Sequence, residues 1–231
     1  MEGDGMTLRA VFWDMDGTLI DSEPYWHEGE MEIARRHGGI WNEDLGWQMS
    51  GKALALCAEK MREMGTQLPE ARIAELMVSY VAERERQSMP WTSGVLDVLR
   101  SLVGAGIPSV LVTASPRSMA QVVVDQAPTG AFSAFVCGDD GLASKPDPAP
   151  YLHAAQLLGI EGKDIASCVA LEDSPTGLRS AVASGATTIA VTGFTRAEVS
   201  GQGQFRSIRD YQGIDAETLA TYATERVGQA F

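Results

Sequence analysis

Residues 11–20 read VFWDMDGTLI, an apolar run that ends on two carboxylates, Asp14 and Asp16. Side chains alternate between the two faces of a strand, so positions 14 and 16 point the same way where the strand opens into a loop. Two acids that converge there repel each other unless a cation or a shared proton lies between them. Taken alone, the pair can equally cap a turn or the next helix, because Asp is common in both places.

The composition restricts the partners that we expect. The 231 residues carry a formal net charge of −13, which disfavours nucleic acid and anionic membranes as partners. No apolar run approaches the length of a membrane span, and the acidic, glycine-rich start does not resemble a signal peptide. Because Cys57, Cys137 and Cys168 are scattered without metal or disulfide spacing, we expect a cytoplasmic protein, with Cys137 and Cys168 buried in apolar strands.

Outside one segment, strand and helix patterns alternate along the chain. Short apolar runs predict strands at residues 8–13, 108–113, 134–137, 168–171 and 187–191. Apolar residues at helical spacing predict helices at residues 95–103, 119–124, 151–158 and 178–183. Continuous apolar strands that alternate with helices are typical of an α/β fold, with a doubly wound parallel sheet covered on both faces.

Residues 22–87 break this alternation, because they contain no convincing strand. Helices are predicted at residues 28–37, 53–64 and 69–87, after a helix start at Ser22 and Pro24. The sequence therefore predicts a core domain of residues 1–21 and 88–231 with a helical domain, residues 22–87, inserted beside the Asp pair as a lid. We interpret the charged run 83–86 as a solvated helix face.

Ligands of open α/β sheets bind beyond the carboxyl ends of the strands, and polar residues collect at these points. In chain order they are Asp14, Asp16, Thr113, Ala114, Ser115, Lys145, Glu172 and Asp173. A lysine before proline can be a surface residue, and a Thr or a Glu-Asp-Ser run can be a helix cap. Their joint occurrence at three strand ends favours an oxygen-rich site suited to Mg²⁺ and a phosphorylated substrate.

Four segments resemble, in order, the four motifs of the haloacid dehalogenase superfamily. They are residues 14–18 (DMDGT), Thr113 after its strand, residues 145–146 (KP) and residues 172–174 (EDS). The resemblance covers essentially the whole chain. The helical insert resembles the C1 cap of the subgroup that contains β-phosphoglucomutase and sugar-phosphate phosphatases, of which residues 21–24 (DSEP) and 171–177 (LEDSPTG) are also typical. It implies a Rossmann-like core with a mobile cap.

The resemblance implies a nucleophile and a metal site. Asp14 would attack phosphorus to give an aspartyl-phosphate. Mg²⁺ would be held by Asp14, by the main-chain carbonyl of Asp16 and by Asp173, with Glu172 close by or binding through water. This cation is needed because a carboxylate that approaches a phosphate dianion is repelled.

The resemblance also implies phosphate-binding and proton-transfer groups. Thr113, the accessible amide of Ala114 and Lys145 would bind the phosphoryl group together with Asp14. Asp16 would protonate the leaving oxygen and then take a proton from the attacking water. This second acid separates phosphoryl transfer from dehalogenation and from phosphonoacetaldehyde hydrolysis on the same fold, both of which lack it.

The implied activity is hydrolysis of a small phosphate monoester, such as a sugar or polyol phosphate. A β-phosphoglucomutase-type mutase is the alternative, but Trp26 and Leu54 stand where the mutase has a cap His and a cap Arg. A non-catalytic binding protein on this fold would be expected to lose a motif acid or the lysine, and the sequence retains them all.

Three residues outside the motifs are candidates for substrate binding: Trp26, Lys52 and Arg117. Lys52 can instead be exposed, and Arg117 can instead be a helix-start residue that faces water. Trp41, Trp47 and Met49 can line a leaving-group pocket or pack the cap. We expect a monomer or a weak homodimer.

Overall fold

The chain consists of two compact units in a computed structural model that describes residues 8–229. One unit is α/β and contains the described residues up to Ile20 and from Trp91 onward. The other unit, Asp21–Pro90, is helical.

A parallel six-stranded sheet forms the α/β unit, in the order β3-β2-β1-β4-β5-β6. Its strands are β1 (Ala10–Trp13), β2 (Ser109–Val112), β3 (Ala134–Val136), β4 (Cys168–Glu172), β5 (Thr187–Val191) and β6 (Arg206–Ile208). The strand that precedes the Asp pair, β1, lies centrally and pairs with β2 and β4. The carboxyl ends of these three strands therefore meet at one edge of the sheet.

Both faces of β1 are covered, because neighbouring side chains of a strand point to opposite sides. The ring of Phe12 packs 6.3 Å from Tyr151, and the ring of Trp13 packs 5.5 Å from Tyr211.

The helices of this unit are α5 (Val95–Gly104), α6 (Arg117–Gln126), α7 (Ala149–Leu157), α8 (Pro175–Ser184) and α9 (Ala216–Gly228), with a 3₁₀ helix at Gly162–Ser167. The predicted doubly wound parallel sheet is confirmed, and Cys137 and Cys168 are buried as expected.

The sequence pattern missed the last strand and the last helix of this unit. The β6 strand is three residues long and largely exposed, so it lacks the apolar run of the other strands. The α9 helix carries a start signal at Asp215, whose Oδ1 accepts a hydrogen bond from the Thr218 amide at 2.8 Å.

The helical unit contains four helices: α1 (Glu23–Arg36), α2 (Glu43–Met49), α3 (Leu54–Glu63) and α4 (Glu70–Gln87). The second was not predicted, because seven residues are too few to show helical periodicity. Asn42 was its available signal, since its Oδ1 accepts a hydrogen bond from the Leu45 amide at 2.9 Å. Ser22 precedes α1 as expected, but its side chain makes no capping hydrogen bond.

The charged run at the end of α4 is not uniformly solvated, which corrects one prediction. Glu83 and Arg86 are exposed, but Glu85 is fully buried. The reason is helical spacing: Glu85 continues the buried stripe formed by the residues at positions 73, 77 and 81. Within the described part of the chain, no helix combines the length and the apolar character needed to cross a membrane.

Candidate active site

Lys145 connects the ends of β1, β2 and β4. Its Nζ donates to Asp14 Oδ1 at 2.7 Å, to the Val112 carbonyl oxygen at 2.9 Å and to Glu172 Oε1 at 2.5 Å. The lysine comes from the loop between β3 and α7, and its side chain is only 9% exposed. A buried ammonium group held by two carboxylates is fixed in both position and charge.

Three carboxylates form a compact cluster next to this lysine. Oxygen atoms of Asp14, Glu172 and Asp173 lie within 4.8 Å of one another. Glu172 is fully buried, and Asp14 is nearly so. Because buried carboxylates repel one another, the cluster is a place where a cation is stabilising.

The charge balance of the cluster is visible in its pKa values. Burial, together with the neighbouring Glu172, raises the pKa of Asp14 to about 7, although Lys145 opposes the rise. Burial lowers the pKa of Lys145, but Asp14 and Glu172 outweigh that effect and raise it above its ordinary value. The lysine therefore stays protonated, whereas burial makes ionisation of Asp14 costly.

Gly17 allows Asp173 to approach the turn that carries Asp16. Its φ is +82°, and a Cβ added there would lie 2.2 Å from Asp173 Oδ2. The hydroxyl of Thr18 lies 3.4 Å from Asp173 Oδ1. Both residues of the Gly-Thr pair thus fit the turn tightly against the end of β4.

The loop after β2 is held against the loop after β3. Thr113 is buried, and its Oγ1 accepts a hydrogen bond from the Ser115 amide at 2.9 Å. The Ser115 carbonyl accepts from the Gly138 amide at 3.0 Å. Ala114 is exposed between these fixed neighbours, and a Cβ at Gly138 would lie 2.0 Å from its carbonyl oxygen. Asp16 contacts the same loop, because Ser115 Oγ donates to its Oδ2 at 2.7 Å.

Tyr151 belongs to this site but was not predicted, since it reads as an ordinary apolar residue of α7. Its hydroxyl donates to Glu172 Oε1 at 2.7 Å, and Lys145 Nζ lies 5.2 Å from the centre of its ring. Burial and the neighbouring carboxylates raise the pKa of Tyr151 well above its ordinary value, so it remains a donor. The tyrosine thus fixes the oxygen that Lys145 binds.

Gly177 is a second residue of this site that the sequence motifs did not predict. A Cβ there would lie 2.0 Å from both Glu172 carboxylate oxygens. The Gly177 amide donates to Ser174 Oγ at 3.0 Å, and that hydroxyl lies 3.3 Å from Glu172 Oε2. The first turn of α8 therefore encloses Glu172, and the glycine in residues 171–177 (LEDSPTG) is the available signal for this close approach.

Arg117, a candidate substrate cation, is engaged on the surface of the α/β unit. Its Nη2 lies 2.6 and 2.8 Å from the two carboxylate oxygens of Asp140. The guanidinium group stacks over Phe135, with its Cζ 4.6 Å from the centre of the ring. The Arg117 side chain is 47% exposed. This geometry favours the alternative in which Arg117 is a surface residue at the start of α6 and not a substrate contact.

The remaining candidate residues belong to the helical unit. Trp26 is half-buried and packs against the apolar cluster of that unit, as do Trp41, Met49 and Leu54. Lys52 is exposed in the loop between α2 and α3.

Two comparisons with known sequences agree on one group of proteins. Residues 8–185 match the family model described as haloacid dehalogenase-like hydrolase. Hexitol phosphatase A of Escherichia coli (strain K12) is 31% identical over 188 residues, which cover 80% of this chain and 84% of that protein. Validoxylamine A 7'-phosphate phosphatase of Streptomyces hygroscopicus subsp. limoneus is 26% identical over 188 residues, with 80% and 85% covered.

A solved structure gives the same fold. It is a HAD hydrolase, family IA, variant 3, from Entamoeba histolytica HM-1:IMSS. The TM-score is 0.80 at 22% identity, and the match covers 93% of this chain and 99% of the other.

Proposed function

The chain belongs to the haloacid dehalogenase-like hydrolases, and we propose that this phosphatase acts on small sugar or polyol phosphate monoesters. The proposed reaction uses Mg²⁺ and passes through an aspartyl-phosphate. The observation that carries the proposal is the Lys145 ammonium bound between Asp14 and Glu172, beside the carboxylate of Asp173. The positive charge of Lys145 would reduce the repulsion between the Asp14 carboxylate and a dianionic phosphoryl group.

The donor set fits Mg²⁺. Carboxylate oxygens are the hard ligands that this ion prefers, and three of them converge here. Lys145 donates to two of these three carboxylates, so a second cation would offset the remaining negative charge. We assign the ion to Asp14, Asp173 and the main-chain carbonyl of Asp16, where it would neutralise charge on the phosphoryl oxygens.

Glu172 has a different role in this proposal. Its Oε1 receives both the Lys145 ammonium and the Tyr151 hydroxyl. Because both donors bind Oε1, and the Ser174 hydroxyl donates to Oε2 at 3.3 Å, we assign Glu172 to holding Lys145 in place rather than to direct metal binding. Lys145 then binds a phosphoryl oxygen together with the Thr113 hydroxyl and the Ala114 amide.

The reaction has two displacement steps. In the first, a carboxylate oxygen of Asp14 bonds to phosphorus, the ester P–O bond breaks, and Asp16 gives its proton to the departing alkoxide oxygen. In the second, a water oxygen bonds to phosphorus and loses its proton to Asp16. The Asp14–phosphorus bond breaks and inorganic phosphate is released.

The substrate class is inferred from the relatives and from the helical unit. Hexitol phosphatase A and the validoxylamine A 7'-phosphate phosphatase are named for polyhydroxylated phosphate esters. We propose that Asp21–Pro90 acts as the cap, with Trp26 and Lys52 contributing to the choice of leaving group, and that Trp26 and Leu54 favour water over a sugar as acceptor.

The test is direct. The purified protein is incubated with MgCl₂ and sorbitol 6-phosphate, β-glucose 1-phosphate, phosphoglycolate or p-nitrophenyl phosphate, and released phosphate is measured. We expect phosphate release from at least one sugar or polyol ester, and no release after EDTA treatment. Borohydride added during turnover is expected to reduce the acyl phosphate at Asp14 to homoserine, which peptide mass spectrometry detects.

Asp14→Asn is the matched variant, since it keeps the shape of the side chain but not the nucleophile. Turnover by this variant would remove Asp14 from the mechanism. Absence of phosphate release from every ester would contradict the hydrolase proposal. Conversion of β-glucose 1-phosphate to an isomer without release would instead support the mutase alternative.

A further inference from the structure

The acid at position 16 has a specific hydrogen-bond donor from another part of the chain. Ser115 Oγ donates to Asp16 Oδ2 at 2.7 Å, although the two residues are 99 positions apart. They meet because β1 and β2 are adjacent parallel strands, with Trp13 opposite Leu111. The contact thus joins the turn after β1 to the loop after β2.

The main chain of Ser115 is fixed on both sides. Its amide donates to Thr113 Oγ1 at 2.9 Å, and its carbonyl accepts from the Gly138 amide at 3.0 Å. Gly138 approaches this loop so closely that an added Cβ would overlap the Ala114 carbonyl. The Ser115 hydroxyl is therefore presented from a rigid backbone rather than from a mobile loop.

Asp16 is also on a tight turn, in which the Met15 carbonyl oxygen accepts from the Leu19 amide at 2.9 Å. Backbone bonds place the Cα and Cβ atoms of such a residue, but its carboxylate still rotates about the side-chain torsions. A donor at hydrogen-bond distance removes much of that freedom, and bonds to a charged acceptor are the stronger ones.

From this geometry we propose that Ser115 is a positioning residue, whose hydroxyl orients the Asp16 carboxyl group for proton transfer to the leaving oxygen. The inference rests on the proposed phosphatase function, in which Asp16 is the acid. Ser115 keeps its own proton throughout. The transferred proton moves from Asp16 to the departing oxygen, and it is recovered from water in the second step.

The competing role is a direct hydrogen bond from Ser115 to the phosphoryl group, and the leaving group distinguishes the two. An alkoxide needs a proton as it departs, whereas p-nitrophenolate departs without one. A residue that acts through Asp16 therefore matters for an alkyl ester and matters little for p-nitrophenyl phosphate. A residue that binds the phosphoryl group matters equally for both.

The experiment compares Ser115→Ala, Ser115→Thr and the nearby exposed control Ser118→Ala in single-turnover formation of the phosphoenzyme. The alkyl substrate is sorbitol 6-phosphate or another alkyl ester that the wild type hydrolyses. We expect Ser115→Ala to slow the step about 10- to 100-fold for this ester, and less than about threefold for p-nitrophenyl phosphate. Ser115→Thr, which keeps the hydroxyl, should recover most of the rate, and Ser118→Ala should match the wild type.

Two further measurements separate positioning from binding. In an Asp16→Asn background, adding Ser115→Ala should cause no further loss, because the group being positioned is already gone. The inhibition constant of inorganic phosphate should be the same for Ser115→Ala and wild type. Equal losses for the two esters, weaker phosphate inhibition, or an additive double variant would overturn the inference.

Failure of this inference and failure of the proposed function look different. A wild type that hydrolyses esters, together with a fully active Ser115→Ala, overturns the role of Ser115 alone. A wild type that hydrolyses no ester overturns both. Thermal melts of each variant check that it is folded, and the Thr variant provides the test if the Ala variant is not.

Discussion

The two units differ in how the buried carboxylates are compensated. In the α/β unit, the carboxylates of Asp14, Glu172 and Asp173 cluster at the ends of β1 and β4, and Lys145 donates to the first two. In the helical unit, the buried carboxylate of Glu30 is satisfied locally, by the Trp41 indole N–H at 2.9 Å and the Cys57 thiol at 3.3 Å. Burial raises the pKa of Glu30, although both donors oppose the rise.

This difference separates chemistry from architecture. Donors that match an acid one by one stabilise a fold and leave no charge for a substrate. A cluster with more acids than cations is costly to fold and is useful only when another cation completes it. Substitutions in the cluster should therefore affect turnover of every ester, whereas those in the helical unit should affect stability or substrate preference.

The largest effect is expected from Gly177→Ala. The new methyl group would lie 2.0 Å from both Glu172 carboxylate oxygens, so Glu172 and the lysine that it holds must move. Because small displacements of catalytic groups are costly, we expect kcat to fall by roughly 100-fold or more for all esters. Steady-state kinetics on sorbitol 6-phosphate and p-nitrophenyl phosphate measure this loss.

Gly104→Ala is the matched control, because Gly104 also lies in a helix but has no atom beyond its chain neighbours and its own helix backbone within 4 Å of the added Cβ. Its activity should equal that of the wild type, and helix propensity should raise stability by at most about 1 kcal/mol. An active Gly177→Ala enzyme would contradict the view that the first turn of α8 fixes Glu172.

Tyr151→Phe should have an intermediate effect. It removes the hydroxyl that donates to Glu172 at 2.7 Å but keeps the ring beneath Lys145. Loss of such an outer hydrogen bond typically costs roughly tenfold or more in activity, and we expect this fall in kcat with little change in KM. Tyr211→Phe is the control, since its buried hydroxyl donates to a backbone carbonyl of Thr18 at 3.3 Å.

In urea unfolding, Tyr151→Phe should lose about 1.5–3 kcal/mol, because its hydroxyl donates to a carboxylate, and Tyr211→Phe should lose about 1 kcal/mol. Only Tyr151→Phe should lose activity. Equal kcat values for both variants would show that Glu172 does not need the tyrosine to hold Lys145.

The sequence was sufficient to predict the parallel sheet and the residues at its carboxyl edge. Asp14, Thr113 and Glu172 each follow a continuous apolar run, so strand direction alone brings them together, and Lys145 is marked by the proline directly after it. Tyr151 and Gly177 were not placed at this edge, and Ser115 was placed there without a role, because these roles depend on how closely helices and loops approach the cluster. Periodicity predicts which face of an element is buried, but not which hydroxyl reaches a carboxylate.

Prediction was weaker in the helical unit for a related reason. Glu30 and Glu85 are charged residues on helix faces, which a pattern-based interpretation assigns to solvent, yet both are buried. Their burial depends on the packing of α1 and α4 and on neighbours such as Trp41 and Cys57. Spacing along a single helix does not reveal such neighbours.

Lys52→Ala tests the proposed cap role of the helical unit. Lys52 is exposed between α2 and α3, so the substitution should not affect folding. An exposed charge that contacts substrate contributes up to about 1 kcal/mol, so we expect KM for a sugar phosphate to rise at most about fivefold with kcat unchanged. Lys60→Ala, on α3, is the control. Identical KM values for both variants across all esters would remove Lys52 from substrate binding.

The smallest effect concerns His27, which is buried in the helical unit with its Nε2 3.3 Å from both Glu23 Oε2 and Ser50 Oγ. Burial lowers the pKa of His27, but Glu23, together with Glu30 and Glu43, outweighs this and raises the pKa above 6.5. A raised pKa in the folded state means that the protonated form adds stability below the unfolded pKa, and that this contribution is lost as the pH rises through the folded pKa.

We therefore expect the melting temperature of His27→Gln to fall further below that of the wild type at pH 6 than at pH 9, by about 2–4 °C. Subtracting the loss of melting temperature at pH 9 from the loss at pH 6 removes the contribution of packing, which does not depend on protonation. In a Glu23→Gln background, this pH dependence should shrink, because the main partner of the imidazolium is gone. A pH-independent difference would mean that His27 is held by packing against the Trp47 ring, 4.8 Å away, and not by charge. In that case, protonation of His27 would add no stability to the helical unit. Charge at this position would then have no role, in contrast to the charge of the carboxylate cluster.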